Sequence, residues 1–178
     1  FYNNIARFSG GAMSLDVADF IKILKCNFVK NEALELSGGS LSLTRGKLWI
    51  MGNTIFSKNS ANRFGGGIIT KNYKRITMTK CKFINNTAKE SGGALWLDNI
   101  RNILSLYSLY SMNAGFKGNG GVFVIQGTEK ISVISCIFSK NWAHNGGSIF
   151  ATRTKMLNVY RAIFVSNQGK NGGALYCT

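Results

Sequence analysis

The chain has 178 residues, 45% of them apolar, which suffices for one domain with a sizeable core and excludes a disordered polymer. Twenty-two Lys and Arg against seven Asp and Glu give a formal charge of +15, a balance that points to an anionic partner: an acidic glycan, nucleic acid, a membrane surface or an acidic protein. There is no proline, and no run of apolar residues long enough to cross a bilayer as a helix.

The chain opens on Phe1 and Asn4, an aromatic followed three residues later by an asparagine. The same spacing returns at Phe28 and Asn31, Phe56 and Asn59, Phe83 and Asn86, Tyr110 and Asn113, Phe138 and Asn141, and Phe164 and Asn167. A turn of variable length then leads to a glycine pair whose second members are Gly11, Gly39, Gly66, Gly93, Gly121, Gly147 and Gly173. From each of the first six glycines to the next aromatic the distance is seventeen residues, so the period is 26–28 and all length variation falls in one turn. A chain that must stay in register with its own copies behaves in this way, since a one-residue slip turns every inward side chain outward.

Three strands are read from each repeat. Two and four positions after the glycine stand pairs such as Leu41 and Leu43, or Leu95 and Leu97, the alternation of a strand with one buried face. Ten and twelve positions after it stand Ile21 and Ile23, Trp49 and Met51, and Ile131 and Val133, which mark a second strand. The third carries a small residue two before the aromatic: Cys26, Thr54, Cys81, Ser108, Cys136 and Ala162. These elements predict an all-β fold: a right-handed, single-stranded parallel β-helix of about seven coils of 26–28 residues with three short strands per coil, as one domain over residues 1–178. Both ends fall within the periodic pattern, and the segment is read as the interior of a longer repeat protein. The aromatics are expected to stack along the axis, and the asparagines to form a hydrogen-bonded ladder beside them.

Phe-x-x-Asn followed by Gly-Gly-Ala-Ile/Leu/Val is the repeat of the chlamydial polymorphic membrane proteins, and this chain resembles that family in "FYNN" with "GGAM", "FINN" with "GGAL" and "FVSN" with "GGAL". The fifth copy departs, with "YSMN" and "GGVF". The resemblance implies adhesive, surface-displayed passenger regions folded as right-handed parallel β-helices.

Residues that carry chemistry are scarce. Asp16 and Asp98 share a coil position but lie three coils apart, and Glu32 and Glu35 sit in the variable turn, so no paired carboxylates of a β-helical glycosidase or lyase assemble. The single His144 lies in a turn, and "GFKGNGG" fits neither phosphate-loop spacing. No catalytic residue, metal site or cofactor is indicated. Cys26, Cys81 and Cys136 occupy one inward column at alternate coils, roughly 10 Å apart and too far for a bridge, so the cysteines are read as buried free thiols.

Partner surfaces are read from outward positions. Three after each glycine, Ile69, Trp96, Val124, Phe150 and Tyr176 form an apolar stripe, and Ile55, Leu109, Ile137 and Ile163 a second. Lys22, Lys25, Lys71, Lys74, Arg75, Lys80 and Lys82 form a basic strip suited to an acidic glycan or other polyanion. No motif for specific nucleic-acid recognition is visible. Asn85, in Asn85-Asn86-Thr87, is an N-glycosylation sequon. The reading is of a non-enzymatic extracellular or cell-surface structural or adhesive protein. It binds protein or glycan partners, other chains of an assembly or further repeats of the same chain, including as part of a filament. Two alternatives are a carbohydrate-active β-helix enzyme whose carboxylates lie outside this segment, and an intracellular scaffold for an acidic polymer.

Overall fold

A computed structural model describes residues 1–178. Every strand pairs in parallel with the strand about 27 residues away, and three parallel sheets run along one axis over about six turns, with no helix.

The first sheet is long. In its central coils it is built from Leu41–Gly52, Ile68–Thr79 and Leu95–Leu106, with Leu41, Ile68, Leu95, Phe123 and Ile149 in register. In these three coils the first and second strands run together as one twelve-residue strand, while in the outer coils they are separate, as Met13–Asp16 and Phe20–Leu24 or Phe123–Gln126 and Lys130–Ile134. The bend within the long strands is a single left-handed residue, Arg45, Asn72 or Asn99, across which inter-coil hydrogen bonding continues. Ala18 N–H, for example, donates to the Arg45 carbonyl at 3.1 Å.

The second sheet carries the aromatics, in strands such as Ile55–Ser57, Lys82–Ile84 and Leu109–Ser111. Phe1, Phe28, Phe56, Phe83, Tyr110, Phe138 and Phe164 stack in one file with successive ring centroids 4.6–5.3 Å apart. Burying each central ring contributes about 1.5–3 kcal/mol before entropy is counted.

The third sheet lies in what the sequence presents as the variable turn: Ile5–Ala6, Glu32–Ala33, Ser60–Ala61, Thr87–Ala88, Ala114–Asn119 and Trp142–Asn145. The chain stays extended for two residues after each ladder asparagine, and only then does the length vary. Ala33, Ala61, Ala88 and Ala143 are buried here, because the inward space at this corner admits only a methyl group.

Between the aromatic and turn sheets runs the asparagine ladder. Asn59 Nδ2 donates to Asn86 Oδ1 at 2.8 Å and to the Phe28 carbonyl at 3.0 Å, while the Asn59 N–H donates to the same Asn86 Oδ1 at 3.1 Å. The pattern repeats through Asn113 and Asn141 to Asn167. These buried amides are therefore satisfied by their own copies one coil away.

The members of the glycine pair have different roles. Gly92 adopts φ +68°, a conformation open to glycine at no steric penalty. Gly93 is not left-handed but has no room, since a Cβ there falls 2.3 Å from the Gly121 carbonyl oxygen of the next coil.

The thiols are all free. Cys81 and Cys136 are buried and Cys26 is half-buried, but Cys177 is exposed, which corrects the expectation that all four are buried. Its strand, Leu175–Cys177, pairs on one side only.

Candidate interaction surface

The outer face of the long sheet has two halves, separated by the left-handed bend. On the first half, parallel register brings Ile69, Trp96, Val124, Phe150 and Tyr176 into one axial file, as neighbours one coil apart. Their exposure is uneven. Ile69 and Val124 keep only 8% and 3%, while Trp96, Phe150 and Tyr176 are half-exposed. The adjacent turn closes over part of the file: Phe64 stacks on Trp96 at 5.2 Å, and Lys71 Nζ lies 5.1 Å from the Trp96 ring centroid. Phe150 and Tyr176 stack on each other at 5.9 Å.

Beside Ile69 lies a depression of about 390 Å³ lined by Ser37, Ser42, Thr44, Arg63, Phe64 and Lys71 among others. It combines an apolar floor with hydroxyls and two cations. Arg63 is held by Glu90, Nε to Oε1 3.1 Å, and lies over the Phe64 ring. Phe64 and Arg63 have no counterpart in the sequence reading, because they belong to the turn whose length varies and so carry no periodic signal.

The seven cations read as one strip occupy several places. Lys71 sits beside Trp96, and Lys74 and Arg75 lie just past the bend on the second half of the long sheet. Lys22 is in file with Ile50 and Thr77. Lys25 and Lys80 are left-handed corner residues, φ 52° and 53°. Lys82 stands on the aromatic sheet between Ile55 and Leu109, where it interrupts the second apolar stripe. Asn85 is exposed at φ 55°, next to the buried ladder residue Asn86.

Carboxylates are dispersed. Five of the seven pair with a cation one coil away: Glu35 with Arg7, Asp16 with Arg45, Asp19 with Lys47, Glu90 with Arg63 and Glu129 with Arg101. The Arg45 guanidinium, hydrogen-bonded to Asp16, holds that carboxyl below its usual range. Asp16 and Asp98 are separated in register by Thr44 and Lys71. No three His, Cys, Asp or Glu side chains converge on one point.

This fold and this repeat place the molecule among the right-handed parallel β-helices. The family model for the right-handed β-helix region matches residues 1–171, and the chain belongs to that family. Over 54 residues it is also 46% identical to a protein of Chlamydia trachomatis serovar D described as probable outer membrane protein PmpC. That stretch is 28% of this chain and 3% of the relative, so the chain corresponds to a small part of the relative's length. No solved structure gives a significant match.

Proposed function

We propose that the chain is a non-enzymatic, surface-displayed β-helical rod that engages protein or glycan partners along the outer face of its long sheet. One observation carries this reading: the axial file from Ile69 to Tyr176, in which Trp96, Phe150 and Tyr176 keep accessible aromatic surface, with a depression of about 390 Å³ at its Ile69 end. Aromatic surface left accessible on one face of a sheet in this way is a feature of interaction sites. The similarity to a chlamydial protein described as an outer membrane protein supports a place at the cell surface. The use of five carboxylates in separate surface pairs argues against a catalytic acid and base.

The test has two arms. Antibody labelling of intact cells reads surface display, and arrays of purified glycans and extracellular protein domains read binding by the wild-type chain and by Trp96→Ala with Phe150→Ser. The expected result is surface labelling, and a ligand lost in the double variant while its circular dichroism is unchanged. Release of reducing ends from a polysaccharide panel by the purified chain, or labelling only after permeabilisation, overturns the reading.

A further inference from the structure

On the second half of the long sheet, Gly46 and Ile100 both pair with Tyr73, and Leu48 and Asn102 both pair with Arg75, which sets Lys47, Lys74 and Arg101 at equivalent positions of successive coils, with Asp19 and Glu129 at the two ends of the column. Asp19 pairs with Lys47 below, and Glu129 with Arg101 above. Lys74, in the middle, is exposed, has no carboxylate partner, and has a cation on either side at roughly the 4.8 Å coil spacing. One position along the strand, Arg75 and Lys130 stand one coil on either side of Asn102, both exposed and both outside the salt bridges. Like charges on directly opposed strand positions are unfavourable, yet here five cations gather over four coils with acids only at the two ends of one column.

The surface around them is shallow and continuous. A depression of about 330 Å³ on one side of Lys74 and Arg101 includes Asn72, Asn99 and Glu129. Another of about 280 Å³ lies between Lys47, Lys74, Arg75 and Arg101. A third, of about 300 Å³, continues past Asn102 to Lys130 and Ser132. The side chains interleaved with the cations are the amides of Asn72, Asn99 and Asn102 and the hydroxyls of Thr77 and Ser132, with the half-buried Leu48 and Leu104 between them. Asn99 Nδ2 donates to Asn72 Oδ1 at 2.7 Å, which leaves Asn99 Oδ1, the second Asn99 amide N–H and both Asn72 amide N–H groups for a ligand.

The geometry points to an axial binding track for a linear acidic polysaccharide, whose sulfates or carboxylates lie against Lys74, Arg75 and Lys130 while its hydroxyls meet the asparagine amides. This deepens the surface-binding reading above and rests on it for its biological setting, but it uses different residues. The track matches a polymer with charges at regular intervals, because its cations recur once per coil. A single-stranded nucleic acid needs aromatic faces for its bases, and none lines these depressions except the edge of the buried Tyr73.

The experiment is calorimetric titration of the 178-residue chain with a heparin-derived octasaccharide at about 50 mM NaCl. One variant carries Lys74→Ser, Arg75→Ser and Lys130→Ser. A charge-matched control carries Lys30→Asn, Lys58→Asn and Lys140→Asn at exposed left-handed corners, where asparagine suits the backbone. The first variant is expected to bind at least about tenfold more weakly and the control within about threefold of wild type, with affinity falling as salt rises. Equal losses in both variants, no binding by the wild-type chain, or tighter binding of an oligothymidylate of equal charge overturns the track. Trp96→Ala with Phe150→Ser leaves octasaccharide binding intact, so failure of the track and failure of the apolar face are read separately.

Discussion

Tyr110 brings the only hydroxyl into the aromatic file, and it is fully buried. Its Oη lies 2.7 Å from Ser105 Oγ, and Ser105 occupies the inward position that Ile23, Met51, Met78 and Val133 fill in other coils. The two departures from the repeat are thus one polar pair, and burial pushes the Tyr110 phenol well above its ordinary value, so it stays neutral and hydrogen-bonded. Ser105→Val alone removes the 2.7 Å partner of that hydroxyl and is expected to destabilise by about 1–3 kcal/mol, whereas Ser105→Val with Tyr110→Phe, which restores the composition of the other coils, is expected to be near neutral. Urea midpoints of the two singles and the double measure this. Additive losses would show that the pair is not coupled. Cys81 gives a second prediction. Burial raises its thiol from 9.0 to about 11. Below pH 9 the thiol is protonated in both states and contributes no pH dependence. Between pH 9 and 11 the unfolded chain ionises while the folded one does not, so stability falls as pH rises, by up to about 2–3 kcal/mol. Cys81→Ala removes that component, so its stability is expected to decline less than wild type between pH 8.5 and 10.5; parallel declines would refute the shift.

At the scale of the element, the asparagine ladder does more than mark a corner. Asn86 Oδ1 accepts from both the N–H and the Nδ2 of Asn59, while Asn86 Nδ2 donates to the Phe56 carbonyl and to Asn113 Oδ1, all at 2.8–3.1 Å in a buried site. Asn86→Ala leaves the Asn59 backbone N–H without an acceptor and the Phe56 carbonyl without its amide donor, at a cost of about 3 kcal/mol or more. Asn86→Asp is expected to be worse, since a carboxylate there faces two acceptors and is desolvated. Asn85→Gly, one residue earlier at an exposed left-handed corner, is expected to change the melting temperature little. A similar loss in all three would mean that the ladder is incidental. The ladder, the aromatic file and the glycine pairs are legible in the sequence because each keeps a fixed residue type at a fixed spacing. The third sheet is equally periodic, in the Ala or Gly two residues after each ladder asparagine, from Ala6 to Gly169, but small residues in a turn do not announce a strand. The bend within the long sheet has no signature at all: Val17, Arg45, Asn72, Asn99, Gly127 and Arg153 all take the left-handed conformation there. Lys47, Lys74 and Arg101 are 27 residues apart and readable in principle, yet grouping cations by nearness in sequence hides them, because the axis brings together residues a full coil apart.

For the whole molecule the deciding quantity is charge. The five ion pairs engage five of twenty-two cations and leave seventeen without a carboxylate partner in a chain of net charge +15. All five pairs are well exposed, with side chains between 40% and 74% accessible, and exposed pairs contribute about 0–1 kcal/mol each. A solenoid stacks its coils as nearest neighbours, so repulsion between like charges is set coil against coil along the rod rather than spread over a sphere. Salt weakens both effects, but seventeen cations without a carboxylate partner set against five exposed pairs make self-repulsion the larger one, so the melting temperature is expected to rise between about 20 and 300 mM NaCl. A fall would mean that the five pairs dominate. The column at Lys74 localises the same argument. Removing a cation flanked by Lys47 and Arg101 relieves two like-charge contacts, and Lys74→Ser is therefore expected to stabilise the chain at low salt by about 0.5 kcal/mol, with the gain vanishing at 300 mM. A stabilising substitution at a site that loses acidic-glycan binding would show that the cations at Lys74 oppose folding and serve a ligand; a destabilising one would assign Lys74 to the fold.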